Sequence, residues 1–270
     1  FSAHAYQVLS PLAGYVSGWN YWYVWVVTCM AEITAVGVYV HLWLPDLPQW
    51  ISCLVALGLM TCANLFSVKA YGEFEFWFAL IKVVTIIFLI FTGVGMIVFG
   101  LGNDGIPVGI SKLTEHGGFL PHGIGGVFDT MLMVLFAYVG IEIIGVTAGE
   151  AADPEKNLSA AIDKVLYRIL LFYVLALLII MSIYPWDQLG HQGSPFVMVF
   201  EKLGITAAGH VINFVVITAA LSSCNSGIYS TGRMLYNLSL QGKAPKMFSV
   251  VSSNKVPYKA LGVSVVFMLI

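Results

Sequence analysis

The sequence predicts an all-α polytopic membrane protein, and two observations support this prediction. Hydrophobic residues make up 59% of the 270 residues and charged residues only 10%, a balance far from that of soluble domains. Six apolar runs also approach or exceed the ~20 residues that a helix needs to cross a bilayer. These predicted spans cover residues 18–44, 50–66, 76–101, 127–148, 165–184 and 207–229.

A seventh apolar run begins at residue 260, and its 11 residues are too few for a complete span. The chain also opens on Phe1 rather than methionine, and residues 1–17 lack the basic region and cleavage pattern of a signal peptide. We therefore expect residues 1–270 to form a single incomplete transmembrane domain, that is, a fragment of a longer protein.

The basic residues lie mainly on one side of these spans. The connections that would share this side hold nine of them: Lys69, Lys156, Lys164, Arg168, Arg233, Lys243, Lys246, Lys255 and Lys259. The opposite connections hold only Lys112 and Lys202. The positive-inside rule places the first set in the cytoplasm and the glycine-rich segment 102–126 outside. Lys82 stands apart, because it lies within the third span.

Several function classes find no support in the sequence. The four cysteines lie in spans without CxxC spacing or nearby histidines, so we expect packing residues rather than disulfides or a metal site. No basic cluster with interleaved aromatics indicates a nucleic-acid partner. Ser226 precedes a glycine, but no histidine follows it to act as a base, so an intramembrane enzyme is not expected. The expected surroundings are the lipid bilayer, and the sequence identifies no protein partner.

A glycine and a glutamate interrupt the fourth span, which reads FAYVGIE over residues 136–142. Glycine weakens a helix, and a carboxylate at the bilayer centre costs about 2.5 to 3.5 kcal/mol on insertion scales. A helix broken at Gly140 would free backbone groups for a ligand, while Glu142 would tie the opened turn or carry a proton. The alternative is a glycine for close packing and a glutamate that pairs with a neighbouring helix.

Polar residues also mark the first and sixth spans. Glu32 lies among small residues that let another helix approach, so its side chain is expected to face the bundle, either as a structural or as a functional carboxylate. Ser222, Asn225 and Ser226 share one face of the sixth span. This stripe is equally typical of helix packing and of a transport pathway.

Four segments together carry a family resemblance. They are residues 18–40 (GWNYWYVWVVTCMAEITAVGVYV), 74–83 (FEFWFALIKV), 136–162 (FAYVGIEIIGVTAGEAADPEKNLSAAI) and 220–246 (ALSSCNSGIYSTGRMLYNLSLQGKAPK). They resemble, in order, the third, fifth, sixth and eighth helices of bacterial amino acid permeases in the amino acid-polyamine-organocation superfamily, of the proline/threonine/GABA permease-like type. His41 departs from this pattern, since the family usually has glutamine there.

The resemblance implies a partial fold of two inverted five-helix repeats, with helices three to eight and part of nine in this chain. It also implies that the sixth helix breaks around the substrate, with the helices of Glu32 and of Ser222 beside it. The implied substrate-binding residues are Phe136, Ala137, Tyr138, Gly140, Ile141, Glu142, Glu32 and Asn225. Glu150 and Arg233 are expected to form a cytoplasmic gate, because they lie in charged segments at the ends of site-forming helices.

Lys82 has two interpretations. Residues 83–101 are uncharged and about 28 Å long as a helix, so Lys82 could lie at the interface and extend to the cytoplasm. The resemblance favours the other interpretation, because in proton-coupled members a lysine on the fifth helix occupies the place of a sodium ion. Ser222 and Ser223 would be its neighbours, and Lys82, Glu142, Ser222 and Ser223 would form the proton-coupling group.

The predicted function is proton-coupled symport of a small neutral L-amino acid across the bacterial cytoplasmic membrane by alternating access. The proton is the coupling ion, and no other cofactor or metal is expected. A permease for aromatic or other amino acids, an amino acid exchanger, and a transporter-like amino acid sensor are the alternatives.

Overall fold

The structure is a computed structural model that describes residues 2–66, 68–144, 154–189, 194–205 and 207–270. Within these ranges the chain forms helices and short turns without any β-strand, which confirms the all-α prediction. The helices are α1 (Ser2–Val8), α2 (Pro11–His41), α3 (Gln49–Phe66), α4 (Val68–Phe99), α5 (Gly123–Ala137), α6 (Pro154–Ile169), α7 (Ala176–Ile183), α8 (Pro195–Lys202), α9 (Ala208–Leu240) and α10 (Tyr258–Met268).

Four helical segments in the described part of the chain are long and apolar enough to cross a membrane. They are Pro11–His41, Glu75–Phe99, Ala161–Ile183 and Ala208–Leu240. The second predicted span and the truncated seventh correspond to the shorter apolar helices Gln49–Leu65 and Tyr258–Met268. The end of the fourth predicted span lies outside the described residues, since residues 145–153 are not among them.

The chain divides into two compact units, Phe1–Lys82 with Asn213–Ile270, and Val83–Ile212. In the first unit, α2 begins where the Oγ of Ser10 accepts a hydrogen bond from the backbone N–H of Ala13 at 3.0 Å, a typical helix N-cap. Helices α2 and α9 are in close contact at Gly227 of α9, where an added Cβ atom would overlap the sulfur of Cys29 of α2. The missing side chain therefore lets the two helices approach closely.

In the second unit, α6 continues through a π-helical turn, Leu170–Leu175, into α7. The carboxyl-terminal part of α4 packs against α7, and a Cβ at Gly93 would overlap the side chain of Ile179. The predicted external segment is held to the end of α7, because the Nζ of Lys112 donates to the carbonyl oxygen of Ile183 at 2.9 Å. Burial lowers the pKa of Lys202 at the end of α8, and the positive charge of Lys112 lowers it further.

Candidate functional site

The helix predicted to break does so. Helix α5 ends at Ala137, residues 138–142 form turns, and Gly140 has a φ of +107°. The backbone N–H of Ile141 donates to the carbonyl oxygen of Tyr138, and that of Ile143 to Gly140. These bonds join residues three apart, so the α-helical ladder is interrupted. The break begins after Ala137, and Phe136, whose side chain is outside the described part, still belongs to α5.

Glu142 folds back on this opened turn. Its Oε2 accepts a hydrogen bond from the backbone N–H of Gly140 at 2.8 Å. A carboxylate acceptor makes this bond stronger than one between neutral groups. The sequence left two roles for Glu142 in an open helix, to tie the opened turn or to carry a proton. This contact corresponds to the first role. Ala137 and Ile141 are exposed beside it.

A tyrosine that sequence reasoning missed stabilises the end of α5. The hydroxyl of Tyr173 donates to the carbonyl oxygen of Ala137 at 3.2 Å. The rings of Tyr138 and Tyr173 also stack, with centroids 5.2 Å apart. Tyr173 lies in the π-helical turn Leu170–Leu175, and such turns occur frequently at functional sites. Its polar hydroxyl inside an apolar span was the available signal.

The first unit contains a separate polar cluster, in which Ser222 of α9 connects two charged residues of α4. The Nζ of Lys82 donates to the Oγ of Ser222 at 2.9 Å. The same Oγ donates to the Oε1 of Glu75 at 2.7 Å, and the Oγ of Ser226 donates to the Oε2 of Glu75 at 3.3 Å. Ser222 is only 1% exposed. The expected contact between Lys82 and Ser222 is therefore present, and Glu75 is an additional member.

Glu32 of α2 joins this cluster from a third helix. Its carboxylate lies beside Ser223 of α9 and interacts electrostatically with Lys82. Glu32 therefore faces α9, as its small neighbours indicated. We call these residues the lysine cluster: Glu32, Glu75, Lys82, Ser222, Ser223 and Ser226. The lysine cluster and the opened turn belong to different compact units, so the expected arrangement of their helices around one substrate stays a prediction.

Asn225 is fully buried and has a partner on α3. The Nδ2 of Asn64 donates to the Oδ1 of Asn225 at 2.8 Å and to the carbonyl oxygen of Met60 at 3.0 Å. The Nδ2 of Asn225 has no hydrogen-bond partner among the described residues. The Oδ1 of Asn225 is thus used in helix packing against α3. The contact of Asn225 with substrate stays a prediction. Asn64, a lone asparagine in an apolar span, could have been noticed in the sequence.

The predicted gate is only partly described. Helix α9 continues to Leu240, well past the predicted end of the span at residue 229, so Arg233 is a helical residue. Its guanidinium carbon lies 3.5 Å from the ring centroid of Tyr229, a cation–π contact. Glu150 lies outside the described residues. The gating roles of both residues stay predictions.

Comparison with known proteins identifies the family. The family model described as amino acid permease matches residues 1–270, which is the whole chain. The chain belongs to the amino acid permease family. This confirms the resemblance that was based on the helical segments.

Three relatives show how similar the chain is to other permeases. The uncharacterized amino acid permease YtnA of Bacillus subtilis is 60% identical over 97% of the chain and 56% of its own length. The probable threonine/serine transporter YbxG of the same organism is 53% identical over 95% of the chain and 56% of its own length. The D-serine/D-alanine/glycine transporter of Escherichia coli is 45% identical over 100% of the chain and 57% of its own length. The chain thus spans somewhat over half the length of these relatives.

Membership of the permease family settles two further predictions. The family and these relatives are permeases and transporters rather than enzymes. This confirms the prediction that the chain does not belong to an intramembrane enzyme. Long apolar helices together with bacterial relatives make the chain part of a multi-pass bacterial inner-membrane protein.

Proposed function

We propose that the full-length protein takes up a small neutral L-amino acid by proton-coupled symport. Membership of the permease family supports a transported amino acid as the substrate. Two relatives are named for threonine and serine, and for D-serine, D-alanine and glycine. These substrates share small side chains with no net charge, which supports a substrate of the same size class.

The observation that carries the proposal is the opened turn at residues 138–142. A free amino acid carries a carboxylate that accepts hydrogen bonds and an ammonium that donates them. A helix that stops inside a span offers both backbone N–H and carbonyl groups at membrane depth. Because Glu142 and Tyr173 bond to the backbone on either side of the opening, the turn is held open before substrate arrives, which reduces the entropy cost of binding.

Proton coupling is the second part of the proposal, and the lysine cluster supports it. The amine of Lys82 is half-buried and hydrogen-bonded to a buried hydroxyl rather than standing fully exposed on the helix surface. Ionisable residues inside a span are costly and are typical of ion and proton pathways. Lys82 would gain a proton on one side of the membrane and release it on the other, in step with substrate.

Uptake by the purified full-length protein in proteoliposomes tests both parts. Radiolabelled threonine should accumulate when the vesicle lumen is more alkaline than the outside, and unlabelled serine, alanine and glycine should compete better than phenylalanine. Lys82→Ala should abolish accumulation driven by the pH gradient but retain exchange of labelled for unlabelled substrate at equal pH. Lys164→Ala, which removes an exposed lysine of α6, is the matched control.

The alternatives give different results in the same assay. Full accumulation by Lys82→Ala would refute proton coupling through this lysine. Exchange without any response to the pH gradient in the unaltered protein would identify an exchanger, and substrate binding without transport would identify a sensor. Stronger competition by phenylalanine than by serine would refute the small-substrate proposal.

A further inference from the structure

Helix α4 carries a second charged side chain on the same face as Lys82. Glu75 precedes Lys82 by seven residues, which is about two helical turns or 10.5 Å along the axis. At this spacing the two side chains leave the helix on the same face. The Oγ of Ser222 bridges them, since it accepts a hydrogen bond from the Nζ of Lys82 at 2.9 Å and donates one to the Oε1 of Glu75 at 2.7 Å.

We propose that Glu75 exchanges the coupling proton with Lys82 through the hydroxyl of Ser222; this inference rests on the proposed function. In the transfer, an N–H bond of the Lys82 ammonium breaks and an O–H bond forms on Ser222. At the same time the original O–H bond of Ser222 breaks and an O–H bond forms on Glu75. Lys82 becomes a neutral amine, Glu75 a neutral acid and Ser222 a hydroxyl again, so atoms and charge balance.

The geometry of the two hydrogen bonds supports this path. The two distances, 2.9 Å from Lys82 to Ser222 and 2.7 Å from Ser222 to Glu75, lie in the normal range of hydrogen bonds. Ser226, one helical turn beyond Ser222 on α9, donates to the second oxygen of Glu75 at 3.3 Å and so helps to fix the carboxylate. Glu32 of α2 also interacts electrostatically with Lys82. The hydroxyl beside the Glu32 carboxylate is that of Ser223, whereas Lys82 bonds to the hydroxyl of Ser222.

The position of Glu75 gives the path a direction. Glu75 lies nearer than Lys82 to the amino-terminal end of α4, and the first turn of this helix contains Lys69. The distribution of basic residues places this end of α4 in the cytoplasm. A proton that passes from Lys82 to Glu75 therefore moves toward the cytoplasm, the direction required for uptake coupled to proton entry.

A purely structural role for Glu75 would show the same contacts, so the test must separate proton transfer from hydrogen bonding. Glu75→Gln does this, because the amide oxygen still accepts the hydroxyl of Ser222 but cannot take up its proton. The matched control is Glu73→Gln, which alters an exposed glutamate two residues earlier on the same helix. Ser222→Ala removes the bridge itself.

We expect Glu75→Gln and Ser222→Ala to slow uptake driven by a pH gradient by at least about tenfold, since a positioned acid or base typically contributes 10²–10⁴-fold to a proton transfer. Exchange of labelled for unlabelled threonine at equal pH should stay within about twofold of the unaltered full-length protein, because this mode needs no net proton transfer. Glu73→Gln should behave as the unaltered protein in both assays.

The outcomes separate this inference from the proposed function. Full gradient-driven uptake by Glu75→Gln overturns the relay, whereas full gradient-driven uptake by Lys82→Ala overturns proton coupling as well. Equal loss of both transport modes in Glu75→Gln overturns the relay in favour of a structural role. If Glu75→Gln fails to reach the membrane, Ser222→Ala decides the matter, and normal gradient-driven uptake by that variant overturns the relay.

Discussion

Replacing Gly140 by alanine tests whether the opened turn matters for substrate. Gly140 has a φ of +107°, a conformation that L-residues with a side chain rarely adopt. Its N–H also donates to the Oε2 of Glu142 at 2.8 Å, which depends on this conformation. An alanine would either hold the strained conformation or move the backbone and lengthen that hydrogen bond.

The expected cost follows from these two features. Holding a non-glycine residue in a sparsely populated region costs about 1–3 kcal/mol. If this cost falls on the substrate-binding conformation, the affinity for substrate should fall about 5- to 150-fold, at 1.4 kcal/mol for each factor of ten. Glu142→Gln should cost less, about 1 kcal/mol or some fivefold, because it replaces a charged acceptor by a neutral one at the same position.

Equilibrium binding of labelled substrate to the full-length protein in detergent measures both effects. Gly125→Ala is the control, because Gly125 lies in α5 with no atom within 4 Å of a built Cβ, and alanine there favours the helix. Affinity for Gly140→Ala equal to that of Gly125→Ala would refute the reasoning, and so would a greater loss from Glu142→Gln than from Gly140→Ala.

Three further predictions concern packing and polar contacts. Gly227→Ala should lower the free energy of unfolding by about 1–3 kcal/mol, because its Cβ would overlap the sulfur of Cys29; an unchanged melting temperature contradicts this. Asn64→Leu should destabilise the protein by about 1 kcal/mol, since it leaves the Oδ1 of Asn225 unpaired, and leucine at both positions should recover part of the loss; strictly additive losses contradict the coupling. Tyr173→Phe keeps the stacked ring but loses the hydroxyl bond, so substrate affinity should fall about two- to tenfold; unchanged affinity argues against a role for that bond.

Local patterns in the sequence predicted the opened turn well. Gly140 and Glu142 are two residues apart, so a broken turn brings them together whatever the rest of the chain does. Tyr173 could not be found in this way, because it lies 36 residues from its acceptor, Ala137. Its orientation depends on the π-helical turn, which adds a residue to one turn of helix and rotates the side chains that follow. No periodicity in an apolar span predicts such an insertion.

The lysine cluster shows the same division between local and distant information. The contact of Lys82 with Ser222 joins residues 140 positions apart, and only the family resemblance made it predictable. Glu75 could have been found from the sequence itself, because a charged residue seven positions before an intramembrane lysine lies on the same helix face. It was overlooked because the predicted span began at residue 76, which placed Glu75 in the loop. The structure extends α4 back to Val68. Functional residues of a membrane helix should therefore also be sought beyond the predicted boundary of its apolar span. A carboxylate one residue outside an apolar run can still bond to groups inside it.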